Sequence, residues 1–272
     1  MIKIGFYSAF FFGCGILGVA FTENKKEDKS MIFFYVRHGD PIYNPDSLTP
    51  LGERQAEALA KRLCMFGVKK VYASTSNRAI LTGKPTCDIL GREPKLLDFC
   101  NEANVAKDFM IGEWPHPDQA WAWDHKDTRK LLLDPEVVAM GHEWYKHPKL
   151  AEYTFAHGIE QMYEGVDKLF AELGYEHDRY TGTYKPIKDN DDHVALFAHQ
   201  GCGMVFMSCL LDIPYPIYAT RFDMCHSGFT AVDFHPDRYG LVVPRVMTLS
   251  NDSHLYREGL PLRYNHNDRC RF

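Results

Sequence analysis

The chain has 272 residues and a formal net charge of −5, and 45% of its residues are hydrophobic while 25% are charged. These values are typical of a globular protein and exclude a disordered chain, a collagen and a coiled coil. A net negative charge gives the molecule no overall attraction to nucleic acid or to an anionic membrane, so we expect no nucleic-acid partner.

Residues 1–30 divide into an apolar stretch, 5–21, and a charged linker. The apolar stretch resembles a secretory signal peptide or a short membrane anchor. Met31 directly precedes the first predicted strand, so a bacterial source would favour a third interpretation, in which residues 1–30 are an untranslated leader. We predict one cytoplasmic globular domain over 31–272, with export, or membrane anchoring through a retained apolar stretch, as the alternatives.

The eight cysteines are scattered and form no Cys-x-x-Cys pair, which disfavours a zinc ribbon or a thioredoxin-like site. Cys14 lies in the apolar stretch, and the seven remaining cysteines are an odd number. This count favours reduced thiols and a reducing compartment.

The first part of the domain alternates strands with helices. An apolar strand over 32–36 is followed by a polar loop over 37–48, and Thr49 is placed to cap a helix that runs to about residue 66. Further elements are predicted as a strand over 68–73, a helix over 77–90 and a short strand over 95–99. This order predicts a three-layer α/β/α sandwich with a mostly parallel central sheet.

The segment over about 101–157 interrupts this alternation. It is rich in Trp, His, Asp and Pro, and we interpret it as an inserted cap of helices and loops that sets substrate specificity. The remaining predicted elements are a helix over 159–173, a strand over 194–198, a helix over 203–211 and late strands over 229–234 and 242–249. The last of these strands is expected at the sheet edge.

Three predicted strands end in residues suited to binding phosphate. The first strand leads into Arg37-His38-Gly39, the second into Ser74 and Arg78, and a later strand into His199. Ligands bind beyond the carboxyl ends of parallel strands, so these side chains should converge. Arginine offers a planar fork of donors to a phosphate, and its charge lowers the pKa of a neighbouring histidine. A neutral histidine has a lone pair that can attack phosphorus.

These motifs resemble the histidine phosphatase superfamily, also called phosphoglycerate mutase-like. The resemblance rests on three blocks in the family order, which span most of the chain. The first block is Arg37-His38-Gly39 with Asn44, Leu48-Thr49 and Gly52; the second is Ser74 with Arg78-Ala79 and Thr82; the third is His199 with Gly201.

The resemblance implies a role for each matched residue. His38 would be the nucleophile and become transiently phosphorylated. Arg37, Arg78 and His199 would hold the phosphoryl oxygens and stabilise the transition state, and Asn44 would be a further phosphate contact.

The resemblance also implies a carboxyl group that protonates the leaving oxygen and then activates water. Glu102 fits the expected place after the third strand, and Asp108 and Glu113 are alternatives. No metal and no cofactor is expected, because the arginines and histidines supply the charge that Mg²⁺ supplies in other phosphoryl-transfer sites.

The predicted function is that of a metal-independent phosphomonoesterase acting on a small phosphorylated substrate. A phosphomutase on the same scaffold and a catalytically quiet protein that binds phosphorylated ligands are the alternatives. Asp40-Pro41-Ile42-Tyr43 differs from the mutase pattern, and Pro41 and Gln200 differ from the acid-phosphatase and phytase branch. His226 is a candidate substrate contact. The sequence makes no prediction of oligomeric state.

Overall fold

The structure is a computed structural model that describes residues 30–112 and 119–265. The apolar stretch 5–21 and Glu113 lie outside the described residues, so the interpretations of both stay predictions. Among the described residues, no helix combines the length and the hydropathy that crossing a bilayer requires.

The described residues form strands and helices that alternate along much of the chain. The strands are β1 Met31–Arg37, β2 Pro41–Tyr43, β3 Asp46–Leu48, β4 Val68–Ser74, β5 Lys95–Leu97, β6 Met110–Ile111, β7 Ala120–Trp121, β8 Tyr175–Asp178, β9 Thr183–Pro186, β10 His193–Ala198, β11 Phe229–Phe234 and β12 Arg245–Asn251. The helices are α1 Pro50–Met65, α2 Asn77–Leu90, α3 Glu102–Phe109, α4 Lys126–Leu132, α5 Pro135–Ala139, α6 Phe155–Leu173, α7 Gln200–Leu211, α8 Tyr215–Arg221 and α9 Ser253–Arg257.

Six strands form the central sheet in the order β12-β11-β1-β10-β4-β5. Strands β1, β10, β4 and β5 pair in parallel, whereas β11 is antiparallel to both of its neighbours. The predicted mostly parallel sheet is therefore confirmed. The last strand lies at the edge as expected, although it begins at residue 245 and not at 242.

The side chains of the central strands alternate between two hydrophobic cores, as the pleat of a strand requires. Phe33 and Tyr35 of β1 belong to a core that includes residues of α6 and α7. Phe34 and Val36 belong to a second core that includes residues of α1 and α2. Helices thus cover both faces of the sheet, which confirms the three-layer sandwich.

Local sequence signals explain the ends of the first two helices. The hydroxyl of Thr49 accepts a hydrogen bond from the backbone N–H of Gly52 at 3.0 Å, and Pro50 occupies the first helical position. Gly91 ends α2 in the left-handed conformation with φ of 61°, which a residue without a Cβ adopts freely.

Two predicted loop regions contain short strands. The loop predicted over 37–48 holds the hairpin β2–β3, and the segment over 101–157 holds β6–β7 among its helices. Strands of two or three residues are too short to show alternation in the sequence. The hairpin β8–β9 and the helices α8 and α9 were also not predicted.

His177, in β8, lies between two carboxylates. Its Nδ1 is 2.8 Å from Oδ1 of Asp167, and its Nε2 is 2.7 Å from Oδ2 of Asp212. Burial opposes the charged imidazole, but the two carboxylates outweigh it and raise the pKa of His177 to about 9. A buried imidazolium therefore joins the β8–β9 hairpin to α6 and to the end of α7.

We expect His177→Gln to lower the free energy of unfolding by about 3 kcal/mol, because two carboxylates lose their cation. The folded-state pKa lies above the unfolded value, so the stabilisation is complete below about pH 6.5 and is lost as the pH rises through 9. Urea titrations on either side of this range measure it. The exposed His142 supplies a control, His142→Gln, and equal losses in both variants would contradict the assignment.

Candidate active site

The carboxyl ends of three adjacent parallel strands bring the predicted residues together. Arg37 ends β1 and is paired in register with Ala198 of β10, while β4 ends at Ser74 on the far side of β10. His38 and His199 directly follow β1 and β10. The convergence expected from the sequence is therefore present in the fold.

His38 is buried and oriented by the main chain. Its backbone N–H donates to the carbonyl oxygen of Ala198 at 2.9 Å, and its ring Nδ1 is 2.7 Å from the carbonyl oxygen of Gly39. Because that carbonyl can only accept, Nδ1 carries the proton and Nε2 keeps a lone pair. Burial, together with the nearby His199, Arg37 and Arg78, holds the pKa of His38 well below its usual value.

His199 lies beside His38, with 5.3 Å between the ring centroids. Its Nε2 is 2.8 Å from the hydroxyl oxygen of Ser74, and its Nδ1 is 3.3 Å from Oε2 of Glu102. Burial and the charges of Arg78 and Arg37 also lower the pKa of His199. Both histidines are thus neutral in the resting structure.

The two arginines are anchored by different parts of the chain. Arg37 is 1% exposed, and its guanidinium donates to the carbonyl of Met224 and to Oδ1 of Asn265. The guanidinium of Arg78 lies 2.8 Å from Oδ1 of Asp46. Fixed guanidinium groups of this kind suit the binding of a phosphoryl dianion.

Glu102 is the first residue of α3 and reaches the same cluster. Its Oε1 accepts a hydrogen bond from the N–H of Cys202 at 3.2 Å, and its Oε2 lies 3.3 Å from Nη2 of Arg78. Burial raises the pKa of Glu102, although Arg78 opposes this effect. A carboxyl group with a raised pKa is suited to donating a proton.

Asp108 has a different environment from Glu102. It lies in the last turn of α3, and its Oδ2 is 3.1 Å from Nδ1 of the exposed His157. Both residues line a cavity between α3 and α6. The geometry thus brings Glu102, and not Asp108, into contact with His199 and Arg78.

Asn44 lies in the turn of the β2–β3 hairpin and is exposed. Its neighbour Tyr43 lies over Arg78, with 5.4 Å from the guanidinium carbon to the ring centroid. The hairpin therefore borders the cluster. The phosphate contact expected of Asn44 stays a prediction.

His226 is a further histidine next to His38. Its ring stacks on that of His38 with 5.7 Å between centroids, its Nδ1 is 3.2 Å from Oδ1 of Asp40, and its Nε2 is 3.2 Å from Oδ1 of Asn265. The sequence singled out His226 but not Asp40 or Asn265. Asn265 had no signal, since it meets Arg37 only through a contact 228 residues apart in the chain.

A cavity of about 220 Å³ adjoins this cluster. Its walls include Gln200, which directly follows His199, and the arginines Arg129 and Arg221. Trp121 and Trp123 also line it and stack on each other, with 5.0 Å between their ring centroids. A ligand held by the cluster could extend into this cavity.

Close packing leaves no room for a side chain at Gly201. A Cβ there would lie 2.1 Å from Cζ2 of Trp121 and 2.6 Å from Oε1 of Glu102. The glycine thus lets α7 approach both residues. This is the physical reason for a glycine two residues after His199.

Among the described residues, one group could in principle offer three ligand atoms to a metal ion. These atoms belong to His38, Glu102 and His199 and lie within 4.8 Å of one another. Burial and the charges of Arg37 and Arg78 lower the pKa of both histidines, and the field of the two arginines repels a metal cation. The cluster therefore suits an anion better than a cation.

Over part of its length, the chain is similar to the histidine phosphatase superfamily. Residues 33–129 match the model of the histidine phosphatase superfamily, branch 1. The matched segment contains the end of β1 with His38, Arg78 and Glu102.

Curated relatives with similar sequences include the serine/threonine-protein phosphatase Pgam5, mitochondrial, of Drosophila sechellia and of Drosophila melanogaster. Each is 34% identical over 133 residues, which cover 46% of this chain and 44% of the relative. The match thus spans less than half the length of these relatives.

Solved structures with similar folds include two phosphatases. The phosphoserine phosphatase of Entamoeba histolytica, in complex with 3-phosphoglyceric acid, has a TM-score of 0.51 at 17% identity and covers 83% of this chain and 99% of its own. A mycobacterial glucosyl-3-phosphoglycerate phosphatase, in complex with VO3, has a TM-score of 0.52 at 18% identity, covering 81% and 99%. These likenesses establish the fold.

Proposed function

We propose that the protein is a metal-independent phosphomonoesterase that acts through a phosphohistidine on His38. The main support is that Nε2 of His38, which is free to act as a nucleophile, lies near two anchored arginines and a buried carboxyl group. Relatives named as phosphatases support hydrolysis, although the superfamily also includes mutases.

In the first step, Nε2 of His38 attacks phosphorus and the bond from phosphorus to the ester oxygen breaks. Glu102 gives its proton to that leaving oxygen, so the alcohol departs neutral. In the second step, a water molecule attacks the phosphohistidine while Glu102 accepts its proton. The nitrogen–phosphorus bond then breaks, and inorganic phosphate is released with His38 restored.

Arg37, Arg78 and His199 stabilise this transfer. The transition state spreads negative charge over the phosphoryl oxygens, and donors that are already fixed need no reorganisation to meet it. Arg37 is held by Met224 and Asn265 before any substrate binds. His199, with Nε2 next to Ser74, presents Nδ1 to the space between Glu102 and His38.

We further propose that the cavity lined by Trp121, Trp123, Arg129 and Arg221 receives the alcohol portion of a small phosphorylated substrate. One of the similar structures holds 3-phosphoglyceric acid, and the other is named as a glucosyl-3-phosphoglycerate phosphatase. The cap over 101–157 supplies both tryptophans and Arg129. The expected role of the cap in specificity rests on this placement.

Activity should survive the removal of divalent metals. Chelation with EDTA, followed by assay in metal-free buffer, is expected to leave turnover unchanged, because Arg37 and Arg78 supply the positive charge at the phosphoryl group. A loss of activity that added Mg²⁺ or Zn²⁺ restores would contradict this proposal.

A panel of phosphate esters tests the function itself. The release of phosphate without an isomerised product supports a phosphatase, whereas an isomerised product without release indicates a mutase. Binding without turnover on every ester would indicate a quiet binding protein. Cytoplasmic location also stays a prediction, and the curated relatives are named as mitochondrial.

A further inference from the structure

A second, smaller cavity of about 150 Å³ lies between α1 and α9. Its lining includes Lys61 and Arg62 from α1 and Arg257 from α9, and Glu258 is the one acid among its lining residues. Nζ of Lys61 is 3.3 Å from Oε1 of Glu258, so these two charges offset each other. The positive charge of Arg62 and Arg257 remains.

Two buried nitrogen atoms of this lining have no hydrogen-bond partner within the described part of the chain. They are Nδ1 of His254 and Nε of Arg62. His254 is 2% exposed, and its Nε2 is 2.9 Å from the hydroxyl oxygen of Ser227. A bound anion would favour the tautomer in which the hydroxyl donates to Nε2 and Nδ1 carries the proton. Nε of Arg62 is a donor in any case, Nδ1 of His254 is a donor in this tautomer, and buried donors rarely lack an acceptor.

We propose that this cavity is a binding site for an inorganic phosphate ion, separate from the catalytic cluster. A tetrahedral oxyanion offers acceptors to both orphan donors and a negative charge to Arg62 and Arg257. The volume equals that of about five water molecules at roughly 30 Å³ each. That space fits a five-atom ion.

The cavity is connected to the nucleophile through a short chain of hydrogen bonds. Nε2 of His254 meets the hydroxyl of Ser227, and the N–H of Ser227 donates to the carbonyl of His38 at 3.0 Å. Ser227 has φ of 59°, a left-handed conformation that is unusual for serine. A bound ion would therefore be linked through His254 to the segment that positions His38 and His226.

The test is equilibrium dialysis of the full chain against labelled inorganic phosphate, which needs no turnover. Arg78→Gln weakens phosphate binding at the catalytic cluster, and one equivalent should still bind to this variant. Adding Arg257→Gln should weaken that remaining binding about tenfold, since a charged hydrogen-bond donor is lost. Arg257 is exposed, so the fold should persist, which circular dichroism verifies.

Arg54→Gln is the matched control, because Arg54 is an exposed arginine of α1 that does not line the cavity. We expect it to leave phosphate binding unchanged. Loss of all binding in Arg78→Gln alone, or equal effects of Arg257→Gln and Arg54→Gln, would overturn the proposal. Displacement at equal concentration by phenylphosphonate, a larger oxyanion without an ester bond to hydrolyse, would overturn the assignment to free phosphate. None of these results depends on whether the protein hydrolyses esters.

Discussion

His38→Ala is expected to lower kcat by about 10⁴-fold or more on every ester that the protein hydrolyses, because no other group replaces a covalent nucleophile. Nε2 of His38 is the atom left with a lone pair once Nδ1 donates to Gly39. Phosphate release from several esters measures the effect. Rapid quenching with labelled substrate should show a phosphorylated chain in the wild type and none in the variant.

The control for this substitution is His157→Gln. His157 is an exposed histidine that pairs with Asp108 outside the cluster, so its loss should leave kcat within about twofold, as for surface substitutions generally. Undiminished hydrolysis by His38→Ala would exclude His38 as the nucleophile. A thermal melt of each variant separates lost chemistry from lost folding.

The second large effect is expected from Glu102→Gln. The variant keeps the shape of the side chain but cannot donate a proton, so kcat should fall by about 10²- to 10⁴-fold for esters with poor leaving groups. Esters with good leaving groups need little protonation and should lose far less. Steady-state rates for a series of aryl and alkyl phosphates measure this difference.

The same variant should change the dependence of kcat/KM on pH. His38 must be neutral, and its lowered pKa means that activity is lost only at low pH. Glu102 must be protonated, so activity falls as the pH rises through its raised pKa. We therefore expect a bell-shaped profile, whose alkaline limb disappears in Glu102→Gln.

Asp108→Asn is the matched control for the proton donor. Asp108 is a carboxylate of the same helix that contacts His157 instead of the cluster. Its substitution should leave both the leaving-group dependence and the alkaline limb intact. If Asp108→Asn removes that limb and Glu102→Gln does not, the assignment of the two residues must be exchanged.

Much of the fold was predictable because its signals are local. The capping of α1 by Thr49 and the end of α2 at Gly91 depend on a few neighbouring residues. The placement of His38 and His199 at strand ends was predictable for the same reason, since an apolar run that stops at a polar cluster marks the end of a buried strand.

The supporting contacts of the site were not predictable in the same way. Asp46 meets Arg78 only because a short hairpin packs beside α2, and that hairpin was expected to be a loop. The sequence offered three acids as candidates for the proton donor. Glu102 reaches the cluster because α3 begins at this residue and because Gly201 has no Cβ. Such contacts follow from tertiary packing, which a pattern in one sequence does not display.

The hydrogen bond between Arg37 and Asn265 makes the catalytic cluster depend on a residue far along the chain. These residues are 228 positions apart, yet Asn265 receives a hydrogen bond from the guanidinium that ends β1. A protease that cuts between 260 and 265 would spare every strand of the central sheet and still loosen Arg37. We therefore expect cleavage in this segment to lower activity while the central sheet stays folded. During synthesis, Arg37 can form its hydrogen bond with Asn265 only after residue 265 has been added.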